Sequence, residues 1–475
     1  MHARLDAAAE RFRVCVLMKL SIECRQLDVA SAQATALELG ACGDDTPTRG
    51  LVVRVSRSVL FVAIFFIYTG ALPFFITVSS DLLYGTYLVI GACAVGILSF
   101  ERRAKRILLS VVPYLFWLLV FYCCWGTLVT ATDLPGDEVI KMFLKNLVVM
   151  SAFALAVIDR RDLVRAAKWF QIGALLNLAI CFWELWHPEL ILTLAVGRDP
   201  DDIFFNLLRP AGLWRSPDDA AFAFVFAFLL SHWAGRWLAW IGRLGCLVGL
   251  YLTASRTGVY VLVLCGAVHL ALKLRSRGFF FRWLKVFSLG LAVAAAVALV
   301  LTESSTLRTV DVSNQWQLRR IFDFAENTDR DPNGPTRLKI AQEAIERISE
   351  KPWTGYGVFS FDPDSENSRV PASWRNSAGS IGAHNAFLTV WGETGILGLI
   401  TYLLVLALGL RRTFNPRIAK SDSSILLLMW ISYLVIGLTW HNQFTAFPGM
   451  IYVALLFHLP SVVQRYSEAA RRWAR

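Results

Sequence analysis

Residues 384–412 read HNAFLTVWGETGILGLITYLLVLALGLRR, a largely apolar run that ends in two arginines. About 20 apolar helical residues cross the hydrocarbon core of a bilayer, so this run predicts a transmembrane helix. Similar runs recur and predict an all-α polytopic membrane protein with about 12 transmembrane helices. The predicted spans cover residues 55–79, 82–100, 107–129, 141–158, 164–187, 219–234, 237–253, 257–274, 284–302, 384–410, 422–440 and 446–463.

Composition also favours a membrane protein over a water-soluble one. Hydrophobic residues make up 56% of the chain, charged residues 17%, and the mean hydropathy is +0.51. Average soluble domains are about 45–50% apolar. The net charge of +11 does not indicate a nucleic-acid partner, because the basic residues lie in short clusters between apolar runs.

These basic clusters predict the orientation of the spans. Four or five Lys/Arg occur in each of the segments 101–106, 159–168, 273–285, 411–420 and 465–475. None occurs in the alternate turns at 79–82, 130–140 and 441–446. Because cytoplasmic loops are the ones enriched in Lys and Arg, both termini are predicted in the cytoplasm and the working face on the opposite side.

The predicted organisation has five parts: a polar cytoplasmic tail at 1–48, helices 1–9 at 49–302, a large outer loop at 303–383, helices 10–12 at 384–463 and a cytoplasmic tail at 464–475. The first tail lacks a signal-peptide pattern and a core of its own, so disorder is expected there. An amphipathic helix is predicted within the outer loop, over the mouth of the bundle and ending before Pro352. Its apolar positions are Leu338, Ala341, Ile345 and Ile348.

No cofactor and no metal site are predicted. The nine cysteines form no CxxC pair, and P-loop, GxSxG and HExxH motifs are absent. Several acids have metal-ligand chemistry, but solvation of a loop is the simpler interpretation of Asp199, Asp201, Asp202, Asp218 and Asp219. Without a nucleotide motif, the energy for any reaction must come from the substrate itself.

Arginines also occur in the outer segments, where the orientation rule predicts few. They are Arg209, Arg215, Arg256, Arg319, Arg320 and Arg337. Arginine is costly near hydrocarbon and binds phosphate oxygens through a planar fork, so the group predicts a phosphate-binding site. The alternative is that each one snorkels to lipid headgroups or pairs with a nearby acid. Arg256 is the strongest candidate, because its turn contains no acidic residue.

His384 is the candidate for acid–base chemistry, since it stands where the large outer loop enters a span. An unperturbed histidine has a pKa of about 6.5 and exchanges a proton near neutral pH. The alternative is that it only satisfies a helix N-terminus. Glu393 lies about 13 Å deeper in the same helix and is predicted to pair with a buried donor. Glu184 and His187 end another span and are weaker candidates.

The histidine belongs to a spaced motif. The motif consists of His384-Asn385, nine intervening residues, Gly395, two further residues and Gly398. It matches the H[NSQ]x9GxxG pattern of O-antigen ligases. Further similarity lies in Arg337, in PWTGYG at 352–357 and in SRTG at 255–258. On these motifs the chain resembles the O-antigen ligase/polymerase family of membrane glycosyltransferases, and the ligases match best.

This resemblance implies transfer of a polysaccharide from undecaprenyl pyrophosphate to a sugar hydroxyl of the lipid A–core. The reaction is expected on the periplasmic face of the bacterial inner membrane, without nucleotide or metal and with inversion at the anomeric carbon. His384, Arg256 and Arg337 are the expected catalytic residues. The expected substrate-binding residues are Arg209, Arg215, Arg319, Arg320, Asn385 and Trp353. Gly395 and Gly398 are expected to let a neighbouring helix approach closely.

Three alternatives remain open at this point. An O-antigen polymerase or a protein O-oligosaccharyltransferase would use similar residues with a different acceptor. A transporter or flippase would use the outer arginines as a substrate gate, and such proteins have inverted repeats with sites near the midplane. No repeat is evident in the sequence, and the candidate residues lie toward one face, which favours the enzyme.

Overall fold

The computed structural model describes the chain in several stretches, and every regular element within them is a helix. The described residues are 47–68, 89–97, 99, 155–186, 210–214, 217–273, 337–357, 360–361, 383, 385–439, 452–453 and 455–465. The chain divides into two units, Met1–Val55 and Ser56–Arg475, and every contact considered below lies within the second.

The longer helices of these stretches are α1 (Pro47–Tyr68), α2 (Arg160–Trp186), α3 (Pro217–Leu230), α4 (Arg236–Thr253), α5 (Arg256–Lys273), α6 (Arg337–Glu350), α7 (Ala386–Thr413) and α8 (Lys420–Gly437). Seven of these eight helices overlap predicted spans, and α6 lies in the predicted outer loop. Residues 455–465 are also helical, within the predicted span 446–463 and two residues beyond it.

Four of the described helices, α2, α5, α7 and α8, are long and apolar enough to cross a membrane. They correspond to the predicted spans 164–187, 257–274, 384–410 and 422–440, and the chain is a multi-pass membrane protein. The predicted spans 107–129 and 284–302 lie outside the described residues, as do residues 1–46 of the N-terminal tail. The total of 12 spans therefore stays a prediction.

The two short predicted spans at 219–234 and 237–253 are confirmed as separate elements. Helix α3 runs into a single 3₁₀ turn at Ser231–Trp233, and α4 begins at Arg236 directly after Gly235. Gly235 has a φ of 90°, in the left-handed region where glycine is favoured, and this residue separates the two helices.

Helix α3 is the centre of the described bundle. It contacts α2, α4, α5 and α8, and nearly every residue from Ala220 to Leu230 is buried. Its sequence alternates alanine and phenylalanine, so neighbouring helices approach closely while the rings fill the spaces between them. Phe226, for example, packs edge-on against Phe170 of α2 and against Tyr452. A helix that is apolar all round is expected to be buried on all sides.

Polar side chains also join the helices of the bundle to one another. The Asp422 carboxylate at the start of α8 accepts a hydrogen bond from the Trp233 indole at 3.1 Å and pairs with the His232 ring at 3.2 Å. On α2, the Gln171 amide donates to the Ala227 carbonyl at 2.6 Å. Inside a bilayer an unpaired polar group is costly, so such bonds hold the bundle in one arrangement.

The amphipathic helix predicted in the outer loop is confirmed as α6, and its buried face only partly matches the predicted apolar positions. Ile348 is buried as predicted, whereas Ile345 is 49% exposed, and Ile340 and Ala344 are buried instead. Both patterns recur at helical spacing, and the residues packed against α6 decide which positions are buried. Ala344 and Ile348 join a cluster with Phe361, Ala383, Tyr356, Leu388 and Trp391, so α6 lies against the first turns of α7.

We expect substitution of Gly249 by alanine to test the packing of α3 on α4. A Cβ atom there would lie 2.5 Å from the Phe224 ring, which is itself buried. Overpacking of this kind costs about 1–3 kcal/mol. Gly266→Ala is the matched control, because a Cβ at Gly266 meets nothing within 4 Å and alanine favours the helix. Thermal unfolding of the purified protein should separate the two variants, and equal melting temperatures would contradict the packing.

Candidate functional site

Helix α7 begins with a side-chain cap supplied by Asn385. The Asn385 Oδ1 atom accepts hydrogen bonds from the backbone N–H groups of Phe387 at 2.9 Å and Leu388 at 3.1 Å. Asparagine is among the best residues for this position. The side-chain cap of α7 is thus supplied by Asn385, and the helix begins at Ala386, two residues after His384.

Nine residues into α7 the helix is interrupted at Gly395. Its φ of 70° and ψ of −175° are non-helical, so α7 consists of two helical segments on either side. The left-handed region costs an L-residue about 1–2 kcal/mol, and glycine enters it freely. The interruption leaves backbone groups of α7 without helical partners, and these groups need others.

The partners come from residues 352–357, here called the glycine loop. Ile396 N–H donates to the Pro352 carbonyl at 2.9 Å, while Tyr356 N–H donates to Gly392 O at 2.8 Å and Gly357 N–H to Glu393 O at 2.9 Å. Non-helical backbone at membrane depth occurs only where the protein satisfies it in this way. The Trp391 indole adds a bond to the Pro352 carbonyl at 3.1 Å.

Contact between the glycine loop and α7 is backbone against backbone. A Cβ at Gly395 would lie 2.1 Å from the Trp353 carbonyl oxygen, and one at Gly355 would lie 2.6 Å from the Glu393 carbonyl. The predicted helix–helix contact at Gly395 is therefore wrong, because the glycine loop occupies that place. Gly398 is buried in the following helical segment.

The other end of the loop is held by Glu393. This buried side chain is 1% exposed, and its Oε1 atom accepts a hydrogen bond from the Phe361 N–H at 3.4 Å. The Phe361 ring lies so close to Gly392 that a Cβ there would be 2.5 Å away. The predicted pairing of Glu393 with a buried donor is confirmed, and the donor is a backbone amide.

Tyr356 joins the glycine loop to the end of α6. Its hydroxyl donates to the Glu350 carboxylate at 2.6 Å, and the Lys351 ammonium lies 4.8 Å from the ring centre. Burial, together with the bond to Glu350, raises the pKa of Tyr356 to about 12. The phenol therefore stays protonated at neutral pH and keeps donating, so α6, the loop and α7 form one packed unit.

Trp353 has its carbonyl buried and its ring outside. The carbonyl oxygen faces Gly395, yet the residue as a whole is 71% exposed. An indole held by its backbone and exposed in this way offers a flat face to a ligand. The predicted substrate contact of Trp353 stays a prediction.

The second arginine motif, SRTG at 255–258, starts α5. Ser255 is buried, its Oγ atom donates to the Asp218 carboxylate at 2.8 Å, and the same atom lies 3.5 Å from Gly258 N–H, which donates to it. A Cβ at Gly258 would lie 2.7 Å from the Leu250 side chain. Ser255 and Gly258 thus fix the start of α5. Arg256 is half-buried and is the first residue of this helix, where the backbone N–H groups are not used within the helix.

A third contact involves residues that the sequence analysis ranked low or missed. Glu184 and Asn177 of α2 are buried, and their side-chain oxygens accept backbone N–H groups of the segment 210–214. Glu184 was a weaker candidate and Asn177 was not considered. The sequence signal for this contact was a carboxylate and a side-chain amide that lie two helical turns apart in one predicted span.

Most predicted site residues cannot be compared with the structure. His384, Arg209, Arg215, Arg319 and Arg320 lie outside the described residues, and the side chain of Arg337 does too. Their assignments stay predictions. In the described part of the chain, no group of three or more His, Cys, Asp or Glu residues could hold a metal ion.

Gly395→Ala tests the interruption in α7. The added Cβ would be in a strained conformation and would overlap the Trp353 carbonyl, so we expect a loss of about 3 kcal/mol or more in unfolding free energy. Protease cleavage within residues 351–361 should also become faster. Gly266→Ala again serves as the control, and a Gly395→Ala protein as stable as the wild type would show that α7 is continuous.

Asn385 offers a graded test of the helix cap. Asn385→Asp and Asn385→Ser retain an oxygen for the two N–H groups, whereas Asn385→Ala removes it at a cost of about 1 kcal/mol. Hydrogen exchange at Phe387 and Leu388 should rise in the alanine variant alone. Equal exchange in all three variants would mean that the side chain does not cap the helix.

No curated protein matches the chain. Residues 241–403 match the family model described as O-antigen ligase, and this range contains both SRTG and the motif from the glycine loop to Gly398. The resemblance predicted from those motifs is confirmed over this range. The chain thus carries, over residues 241–403, a domain similar to the O-antigen ligase family.

Proposed function

We propose that the protein is an O-antigen ligase of the bacterial inner membrane. It transfers a polysaccharide from undecaprenyl pyrophosphate to a sugar hydroxyl of the lipid A–core, on the periplasmic face and with both termini in the cytoplasm. The observation that carries the proposal is the packing of the glycine loop on α7, inside the matched family range. It lies on the helix that begins two residues after His384, where the resemblance puts the base.

The proposed chemistry is a single displacement. His384 accepts the proton of the acceptor hydroxyl, whose oxygen forms a bond to the anomeric carbon. The bond from that carbon to the pyrophosphate oxygen breaks, and undecaprenyl pyrophosphate leaves with the electron pair. Attack opposite to the leaving group inverts the anomeric centre. The pyrophosphate leaving group supplies the driving force, so neither ATP nor a metal enters the reaction.

The arginines act on the leaving group. Arg256, Arg337 and Arg215 neutralise the charge that develops on the pyrophosphate, while Arg209, Arg319 and Arg320 contribute to binding it. The start of α5 supports this role, because helix N-terminal amides attract anions and Arg256 is the first residue there.

Trp353 would contact the glycan, since aromatic faces pack well on sugar rings. Asn385, as the helix cap, fixes the start of α7 next to His384 in the sequence.

His384→Ala is expected to reduce transfer about 10²–10⁴-fold in the purified protein, the usual contribution of a general base. Product would be followed as glycan-bearing lipid A–core in detergent without ATP. Full activity of His384→Ala would refute the base assignment.

Arg256→Glu is expected to weaken binding of undecaprenyl pyrophosphate at least tenfold, because the variant places a carboxylate where the phosphates approach. Arg417→Glu makes the same charge change in an exposed residue of the predicted cytoplasmic segment 411–420 and should bind normally. Unchanged affinity of the Arg256 variant would remove this residue from the site.

The choice of acceptor distinguishes the ligase from its relatives. A ligase labels lipid A–core, a polymerase extends a second lipid-linked glycan, and a protein O-oligosaccharyltransferase labels a protein. All three acceptors would be offered with one donor in the same purified system. Movement of the intact donor across a vesicle membrane without any transfer would instead indicate a transporter.

A further inference from the structure

Four basic side chains meet at the end of the bundle where α7 finishes and α8 begins. His232 lies in the turn between α3 and α4, Arg243 lies on α4, and His269 and Lys273 lie one turn apart on α5. His269 is close enough to the other three for their charges to act on it. The His232 ring also pairs with the Asp422 carboxylate of α8 at 3.2 Å. These four basic residues are here called the His–Arg–Lys cluster, and they bring α4, α5 and the turn before α4 together.

Acidic residues do not balance this cluster. No Asp or Glu occurs between residues 220 and 302, a stretch that contains α4, α5 and the turn before α4. Of the described residues, Asp422 brings a carboxylate to the cluster, and its Oδ1 atom is already bonded to His232 and to the Trp233 indole. The segment 274–285 adds four Lys/Arg directly after Lys273. Arginine and lysine are charged at neutral pH, so the cluster carries excess positive charge.

Arg243 is held in a position that suits a bound phosphate. It lies seven residues after the start of α4, about 10 Å along the helix axis. Side chains of a helix lean toward its N-terminus, and the Arg243 Nε atom donates to the Ser231 Oγ at 2.6 Å. This bond holds one edge of the guanidinium, and the terminal Nη groups have no acceptor in the described part of the chain. Such a fork binds two oxygens of a phosphate.

The side chains around Arg243 on α4 place it beside lipid. Trp237 is 81% exposed and Trp240 is 66% exposed, and tryptophan in membrane proteins is enriched at the level of the lipid headgroups. Exposed apolar side chains continue along the same helix at Ile241, Leu244 and Leu247. Lys273 is the last residue of α5, a helix long and apolar enough to cross a membrane. The cluster therefore lies where a headgroup would be, next to a surface that fits acyl chains.

We propose that the His–Arg–Lys cluster binds the phosphate of an anionic phospholipid, with an acyl chain along the exposed face of α4. Arg243 binds two phosphate oxygens, while Lys273 and the histidines add positive charge around them. Basic pockets between transmembrane helices recognise anionic headgroups in this way. The segments 273–285 and 411–420 are predicted on the cytoplasmic side, which would put the lipid in the cytoplasmic leaflet. This end of the bundle is opposite to the start of α7, so the lipid would bind independently of the transfer reaction.

Thermal unfolding of the purified full chain in detergent tests which headgroup is recognised. A ligand that binds the folded state raises the melting temperature, so short-chain phosphatidylglycerol should raise it in a concentration-dependent way. Phosphatidylcholine has a phosphate but no net charge, and inorganic phosphate has no acyl chain, so both should raise it much less at equal concentration. An equal shift with phosphatidylcholine would show that the headgroup charge is not recognised and would overturn the proposal. An equal shift with inorganic phosphate would indicate a soluble anion instead and would also overturn it.

Matched substitutions locate the site. Arg243→Gln should weaken phosphatidylglycerol binding at least tenfold, because it removes the guanidinium fork. Lys273→Gln should weaken it about fivefold, the usual effect of one basic residue at an anionic lipid surface. Lys420→Gln makes the same change in an exposed lysine at the start of α8 and should bind normally.

Arg243→Gln also loses the bond to Ser231, so each variant is compared with its own melting temperature without lipid. Lys273→Gln changes an exposed side chain and gives a second, independent measure. Native mass spectrometry would count the phosphatidylglycerol molecules that stay bound to each variant. Unchanged affinity in either Arg243→Gln or Lys273→Gln, or an equal loss in Lys420→Gln, would overturn the proposed site.

Discussion

The hydrogen bond from Ile396 N–H to the Pro352 carbonyl is the contact on which the packing of α6, the glycine loop and α7 depends. A helix in a membrane cannot leave an amide unpaired, so α7 can break at Gly395 only if another segment supplies an acceptor. Supplying it brings the glycine loop onto α7, and α6 follows because it ends just before that loop. The exposed indole of Trp353 and the capped start of α7 are then fixed in relation to each other.

Two buried acids have the same role at different places. Glu393 accepts a hydrogen bond from one amide of the segment after the glycine loop, and Glu184 accepts hydrogen bonds from two amides of the segment 210–214. Each acid lies on a predicted span and binds backbone that is distant from it in the chain. These bonds join the two segments to α7 and α2.

The sequence predicted the helices well and their interruptions poorly. Spans follow from apolar length, which a bilayer enforces whatever the packing, and α2, α5, α7 and α8 agree with it. A glycine that breaks a helix looks the same in sequence as one that packs in it, so the conformation of Gly395 needed the structure. The buried face of α6 was also beyond the sequence, because partners distant in the chain, Phe361 and Trp391, select it. The site motifs could be recognised in the sequence. The hydrogen bonds that Glu184 and Asn177 accept could not, because nothing in the local pattern identifies which backbone amides donate them.

Arg256 shows how the start of α5 bears on the proposed function. As the first residue of α5 it lies where the helix dipole is positive, a position that disfavours a cation and favours an anion. Ser255 fixes that helix start, because its Oγ atom donates to the Asp218 carboxylate and accepts from the Gly258 N–H. A pyrophosphate bound there, as proposed, would interact favourably with both the N-terminal amides and the guanidinium, so the two positive groups would act on one ligand.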